Sequence, residues 1–273
     1  GFNNVILGYN AGQNITTAYR TVAIGSQALE TDTTGHTNVA IGYDAMRLGT
    51  GSTNTVAVGQ SALEYFSQGN STSAHTTAIG DTAGKYATGS YNTFVGSAAG
   101  AGASSAPYGS GTFNTFMGYQ SGMAFTTGGE NVALGATALN ALTTGGTNTA
   151  LGTRAGLVLT EGSSNVFVGK DAGDSATVIN EAILIGHNAG HTISTSTTSD
   201  GTIGIGAEAL ASLTTGAENT AIGYEALDSI TTAGYNTVIG YHAGKGASNA
   251  NYTYNVLIGR NAGKKSSGDG CSN

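Results

Sequence analysis

Five histidines, one cysteine and a recurring acidic position are the residues with which this chain could do chemistry, and their spacing decides how far each goes. His36, His75, His187, His191 and His242 are scattered; only His187 and His191 are close, with no cysteine or carboxylate at ligand spacing beside them. Protein zinc sites gather three or four such ligands at short, fixed intervals, so neither a metal site nor a cofactor is expected. Asp44, Asp171, Glu208 and Glu225 each stand two residues after a repeated glycine, where other copies carry Asn, Gln, Ser or Thr. Glycoside hydrolysis needs two carboxylates held at a defined separation. A position shared with neutral residues reads instead as solvated surface, and the chain reads as a non-enzyme. Cys271 is alone, so it supplies neither an intrachain disulfide nor a thiolate cluster.

The candidates for binding are aromatic. Tyr65 and Phe66 open the stretch 65–73, Tyr108 lies in 101–112, and Tyr252 and Tyr254 close 247–254. Each stretch lengthens an otherwise regular repeat, and such insertions form loops, often on a binding face. Their rings suit contact with carbohydrate. A fourth long stretch, 191–200, is mostly Thr and Ser. Asn14-Ile15-Thr16, Asn70-Ser71-Thr72 and Asn251-Tyr252-Thr253 match the glycosylation triplet, but such triplets arise by chance in an Asn- and Thr-rich chain.

The elements that must position these residues follow from the repeat itself. Fifteen glycines can be laid over one another: Gly8, Gly25, Gly42, Gly59, Gly80, Gly96, Gly118, Gly135, Gly152, Gly169, Gly186, Gly206, Gly223, Gly240 and Gly259. Nine of the fourteen intervals between them equal that from Gly8 to Gly25. Of the rest, the shortest runs from Gly80 to Gly96 and the longest from Gly96 to Gly118. A period of this kind marks a solenoid or array. Before each glycine stands a large aliphatic residue, and three before it Val, Thr or Ile. Two before it is mostly Ala, sometimes Phe; three after it is Ala in fourteen of fifteen copies, and four after it always Gly, Leu or Met.

A run such as Thr220-Ala221-Ile222 is too short and too β-branched for a helix and suits a strand. Its side chains alternate, so the Thr and Ile positions share one face and Ala takes the other. Both faces are largely apolar, the mark of a strand covered on both sides. A coil this short can enclose only one of them, and a neighbouring chain is the simplest cover for the other. The glycine marks a turn where a side chain would clash or where φ is positive. Asn stands four before it in ten of fifteen copies, which predicts a stacked amide ladder.

Composition sets the remaining bounds. With 45 glycines and a single proline, Pro107, the chain departs from an ordinary globular domain. The glycines lack the every-third-residue period of collagen. The net charge is −7 and the nine Lys and Arg are dispersed apart from Lys264-Lys265. No basic face for phosphates is therefore expected, nor nucleic acid as a partner. No apolar run approaches the roughly 20 residues of a membrane span, so membrane insertion of this segment is not expected. The predicted organisation is one array over 1–263 and a flexible tail over 264–273.

The motif Asn219-Thr220-Ala221-Ile222-Gly223-Tyr224-Glu225-Ala226-Leu227 resembles the arrays of phage tail fibres and related exported fibres, and is similar to the head repeats of trimeric autotransporter adhesins. Those adhesin heads are parallel β-rolls of three chains about one axis. The resemblance implies an all-β, parallel β-solenoid of about fifteen coils, packed as a homotrimer. It implies a shaft or head segment of an extracellular, cell-surface or virion fibre, binding a host-surface glycan or protein through loops presented three times. Two other readings stay open. Coils stacking head to tail would make a structural filament with no receptor. A regular Thr face would suit ice binding, although the Thr-Thr pair is clear in only about a third of the coils.

Overall fold

The structure, a computed structural model, describes residues 1–66, 74–105, 108–193, 199–247, 252–265 and 271–272. Asn70, Pro107 and Asn251 lie outside the described residues. Contacts group the chain, read above as one array over 1–263, into two compact units: residues 1–137 with 142–144, and residues 138–141 with 145–273.

Each unit is a parallel β-solenoid built on very short strands. The first holds β1 (Val5–Leu7), β2 (Val22–Ile24), β3 (Val39–Ile41), β4 (Val56–Val58), β5 (Thr77–Ile79), β6 (Thr93–Val95), β7 (Thr115–Met117) and β8 (Val132–Leu134). The second holds β9 (Thr149–Leu151), β10 (Val166–Val168), β11 (Ile183–Ile185), β12 (Ile203–Ile205), β13 (Thr220–Ile222), β14 (Thr237–Ile239) and β15 (Val256–Ile258). Like pairs with like: Val39, Ala40 and Ile41 face Val56, Ala57 and Val58. The longer interval to β5 leaves this register intact, with Val58 opposite Ile79. Extra residues are therefore absorbed outside the strands. Lys264–Lys265 (β16) and Cys271–Ser272 (β17), within the predicted tail, pair antiparallel.

The strand alternation resolves into an inner and an outer face. The middle residues, such as Ala23, Ala78, Phe94 and Ala221, are fully buried inside the coil. Their neighbours point outward and stay partly exposed: Ile41 is 36% accessible, Ile79 42% and Met117 42%. Ile222, Ile239 and Leu151 are likewise half-buried.

Gly25 shows what the anchor position demands. Its φ is +129°, and a Cβ there would meet the Gly42 carbonyl oxygen at 2.3 Å. The ladder above leaves no room for a side chain, and an L-residue is strained at that φ.

Four residues beyond each anchor glycine the backbone is left-handed again, at φ +50° for Leu29 and +54° for Gly100. Here the side chain points into the core, and its size is matched to the middle strand residue of the same coil. Ala23 goes with Leu29, Ala40 with Met46 and Ala57 with Leu63, whereas Phe94 goes with Gly100, Phe116 with Gly122 and Phe167 with Gly173. Where both are small, at Ala78 with Gly84, the adjoining Leu63 and Phe94 fill the space, each within 3 Å of a Cβ placed on Gly84. Interiors packed at crystal-like density require this constancy of volume. It also explains why Leu tolerates a conformation that usually favours glycine.

The asparagine column forms a ladder. Asn131 donates its backbone N–H and its Nδ2–H to Oδ1 of Asn114, both at 3.0 Å, and Asn165 does the same to Asn148 at 3.0 and 2.9 Å. Nδ2 of Asn165 also donates to the Ile179 carbonyl at 2.7 Å. These amides are fully buried, so the ladder satisfies polar groups that would otherwise be stranded.

Candidate functional site

The intervals from Gly59 to Gly80 and from Gly96 to Gly118 are the two longest of the repeat, and both lengthen the solenoid at the same corner. Tyr65 enters the corner held by its N–H to the Lys85 carbonyl at 2.9 Å. The second insertion rejoins the coil at Gly109, whose N–H donates to the Tyr86 carbonyl at 3.2 Å and whose carbonyl accepts from Thr88 at 2.7 Å. Tyr108, one residue before that junction, faces the same space as Tyr65, Thr88 and Leu48, and the four line a pocket of about 400 Å³. That volume lies within the range of small-ligand sites, about 300–1,000 Å³.

The pocket wall is braced from behind. Tyr86 stacks on Tyr65 with ring centroids 4.9 Å apart, and the Lys85 ammonium lies 5.5 Å from the Tyr86 centroid. Lys85 also pairs with Glu64 at 3.1 Å, and Glu64 accepts from Arg47 at 2.8 Å on its other side. Burial pushes the Glu64 carboxyl up. Hydrogen bonds from Arg47, Lys85 and Ser61 outweigh that effect and leave it below its ordinary pKa. Two phenols, a hydroxyl and an aliphatic side chain make a surface with apolar faces and neutral hydrogen-bonding tips. Such a surface matches a pyranose, which has CH faces and hydroxyl edges.

Phe66 does not belong to this surface. The sequence places it among the ligand contacts, but it is fully buried. It stands seven residues after Gly59, the position where Phe125, Leu142, Leu159, Ile193, Leu213 and Ile230 are also buried. The last two aromatics lie apart, in the second unit: Tyr252 is half-buried, whereas Tyr254 is 77% accessible and stacked on Tyr235 at 5.0 Å.

The acidic column is not simply solvated. Asp44 and Asp171 are buried, and each meets an arginine: Arg47 at 3.4 Å and Arg154 at 3.1 Å. Arg154 extends to Asp174 at 2.8 Å, which His191 meets at 2.5 Å. Asp44 and Arg47 pair within one coil, whereas Arg154 and His191 tie their carboxylates coil to coil. Among the described residues no three His, Cys, Asp or Glu gather where a metal ion could be held, and no helix is long and apolar enough to cross a membrane.

One feature escaped the sequence reading. His75, Tyr91 and Phe113 stack at 5.2 and 5.0 Å with planes within 6° of parallel, and remain exposed. All three stand five residues before an anchor glycine, as do Tyr235 and Tyr254. Alignment of that column is the signal that finds them.

No known protein family, curated protein or solved structure matches this chain.

Proposed function

We propose that this chain is a segment of a homotrimeric extracellular or virion fibre that attaches to a surface glycan through the pocket of Tyr65 and Tyr108. The observation that carries the reading is that pocket. Tyr65, at a regular coil position, and Tyr108, at the end of an insertion far along the chain, line one pocket at the same corner. A neutral shaft has no need of such a meeting. The half-exposed aliphatic residues of the outer strand face support the trimer, since a second and third copy would cover them. Three copies of one weak site, linked in one particle, bind a surface far more tightly than one.

The experiment is binding of the full chain to an array of neutral cell-surface oligosaccharides. Tyr108→Ala and Tyr65→Ala are each expected to lower the signal at least tenfold while leaving the melting midpoint within a few degrees. Unchanged binding in both variants would rule the pocket out as the receptor site.

A further inference from the structure

The charge of the chain is distributed very unevenly. From Ser229 to Gly268 there is no Asp or Glu, while Lys245, Arg260, Lys264 and Lys265 all fall there, a local charge of +4. The five other Lys and Arg and all sixteen Asp and Glu leave the remainder at −11. Such asymmetry within one chain points to an anionic partner at the basic part.

The repeat places Arg260 of this set in one column with two tyrosines of the second unit. Tyr224, Tyr241 and Arg260 each follow an anchor glycine directly, so they stand in one column of successive coils. Tyr224 and Tyr241 stack at 5.4 Å and are 42% and 45% accessible, and the Arg260 guanidinium lies 5.6 Å from the Tyr241 ring centroid. His242 sits against Tyr241, with ring centroids 3.8 Å apart. Its Nε2 meets Glu225 at 2.9 Å, and Lys245 meets the same carboxylate oxygen. Arg260 is exposed, and among the described residues no carboxylate lies within ion-pair distance of it. Burial, and then the charges of Lys264 and Arg260, hold the His242 imidazole below its ordinary pKa in spite of Asp228. Lys264 and Arg260 thus set positive charge beside this cluster on a protein whose net charge is negative.

We propose that Arg260, Tyr241, His242 and Glu225 form a binding site for an acidic sugar, a uronic acid unit of a glycan. Arg260 meets the sugar carboxylate, for which its planar fork of donors is suited. Glu225 accepts from sugar hydroxyls, and the tyrosines supply the apolar contact and hydroxyl tips. The mixed set favours a sugar acid over nucleic acid. One sugar carboxylate can lie on Arg260 while its ring hydroxyls turn to Glu225, whereas Glu225 and Asp228 would repel the successive phosphates of a nucleic acid. The inference rests on the adhesive reading of the chain, at a site separate from the Tyr65–Tyr108 pocket.

The test uses the full chain and calorimetric titration with an oligogalacturonate, its methyl ester and a single-stranded oligonucleotide of equal charge. The oligogalacturonate is expected to bind, and the ester and the oligonucleotide to bind at least tenfold more weakly. Arg260→Gln and Tyr241→Ala should each weaken the uronate at least tenfold with an unchanged circular dichroism spectrum, and Arg20→Gln should leave it unchanged. Tyr108→Ala should also leave it unchanged, so failure of the neutral-glycan pocket is read separately. The inference is overturned if the uronate does not bind at millimolar concentration, or if the ester binds as well as the acid. Full affinity in Arg260→Gln, or equal binding of the oligonucleotide, overturns it too.

Discussion

A Cβ placed on Gly100 would lie 2.2 Å from Cδ1 of Phe94, because the Phe94 ring occupies the space that a leucine fills at the same position of other coils. Gly100 and Leu29 share a left-handed backbone, at φ +54° and +50°. What separates them is the partner two residues before the anchor glycine, Phe94 in one coil and Ala23 in the other. The two positions therefore act as one unit of volume.

That unit can be inverted. Phe94→Ala alone should destabilise by about 3–5 kcal/mol through the cavity it leaves. Gly100→Leu alone should cost about 1–3 kcal/mol through overpacking. Together they recreate the Ala–Leu coil and should recover at least half of the summed loss. Denaturant melts of the three variants decide this; additive losses would show that the positions are independent.

Asp32 and Glu64 should bend the pH dependence of stability in opposite directions. Asp32 stands in the buried column of Phe66 and Leu142, and burial raises its pKa above 3.8 despite hydrogen bonds from Gly35 and Gly51. Its folded pKa exceeds its unfolded one, so stability is full at acid pH and falls as pH rises through the folded value. Asp32→Asn should thus melt higher than the parent at about pH 7, and the gap should close toward about pH 4. Glu64 is lowered from 4.5, so its contribution is present above that value and is lost as pH falls through the folded one. Glu64→Gln should lose about 1.5–3 kcal/mol at neutral pH, as for hydrogen bonds to a charged group, with the difference fading in acid. Melting midpoints from about pH 3 to 7 test both signs.

The outer strand face should govern assembly and the inner face folding. Ile79 is 42% accessible and its neighbour Ala78 is fully buried. In sedimentation the parent is expected to give a closed trimer of the 27.0 kDa chain. Ile79→Asp should release folded single chains, because the charge has water available once the copies part. Ala78→Asp should abolish the fold, because a charge would be stranded inside the coil. A parent that sediments as a single chain would refute the trimer.

Much of the fold was legible because a repeat is redundant. Fifteen copies of a Val, Thr or Ile, a core residue, a large aliphatic residue and glycine state the same alternation, and the parallel ladder and the Asn column follow from it. The inward course of Phe66 was also legible, in large apolar residues seven after other anchor glycines, such as Phe125, Leu142, Leu159 and Ile230. The insertion that follows Phe66 masks that column, because the residue stands beside loop aromatics in the sequence.

What only the tertiary structure decided is which residues meet across coils. The sequence states a period, and the alternation it implies holds only along an extended strand. At the corners the chain passes through left-handed residues, such as Asp44 and Met46, where alternation by two no longer tells inside from outside. Neighbours across the ladder are one coil apart in space and a whole repeat apart in sequence, and the repeat varies in length. Glu64 finding both Arg47 and Lys85 follows from one column, five residues after successive anchor glycines, but Tyr108 sharing a pocket with Tyr65 depended on where its insertion left the coil, which spacing along the chain does not specify.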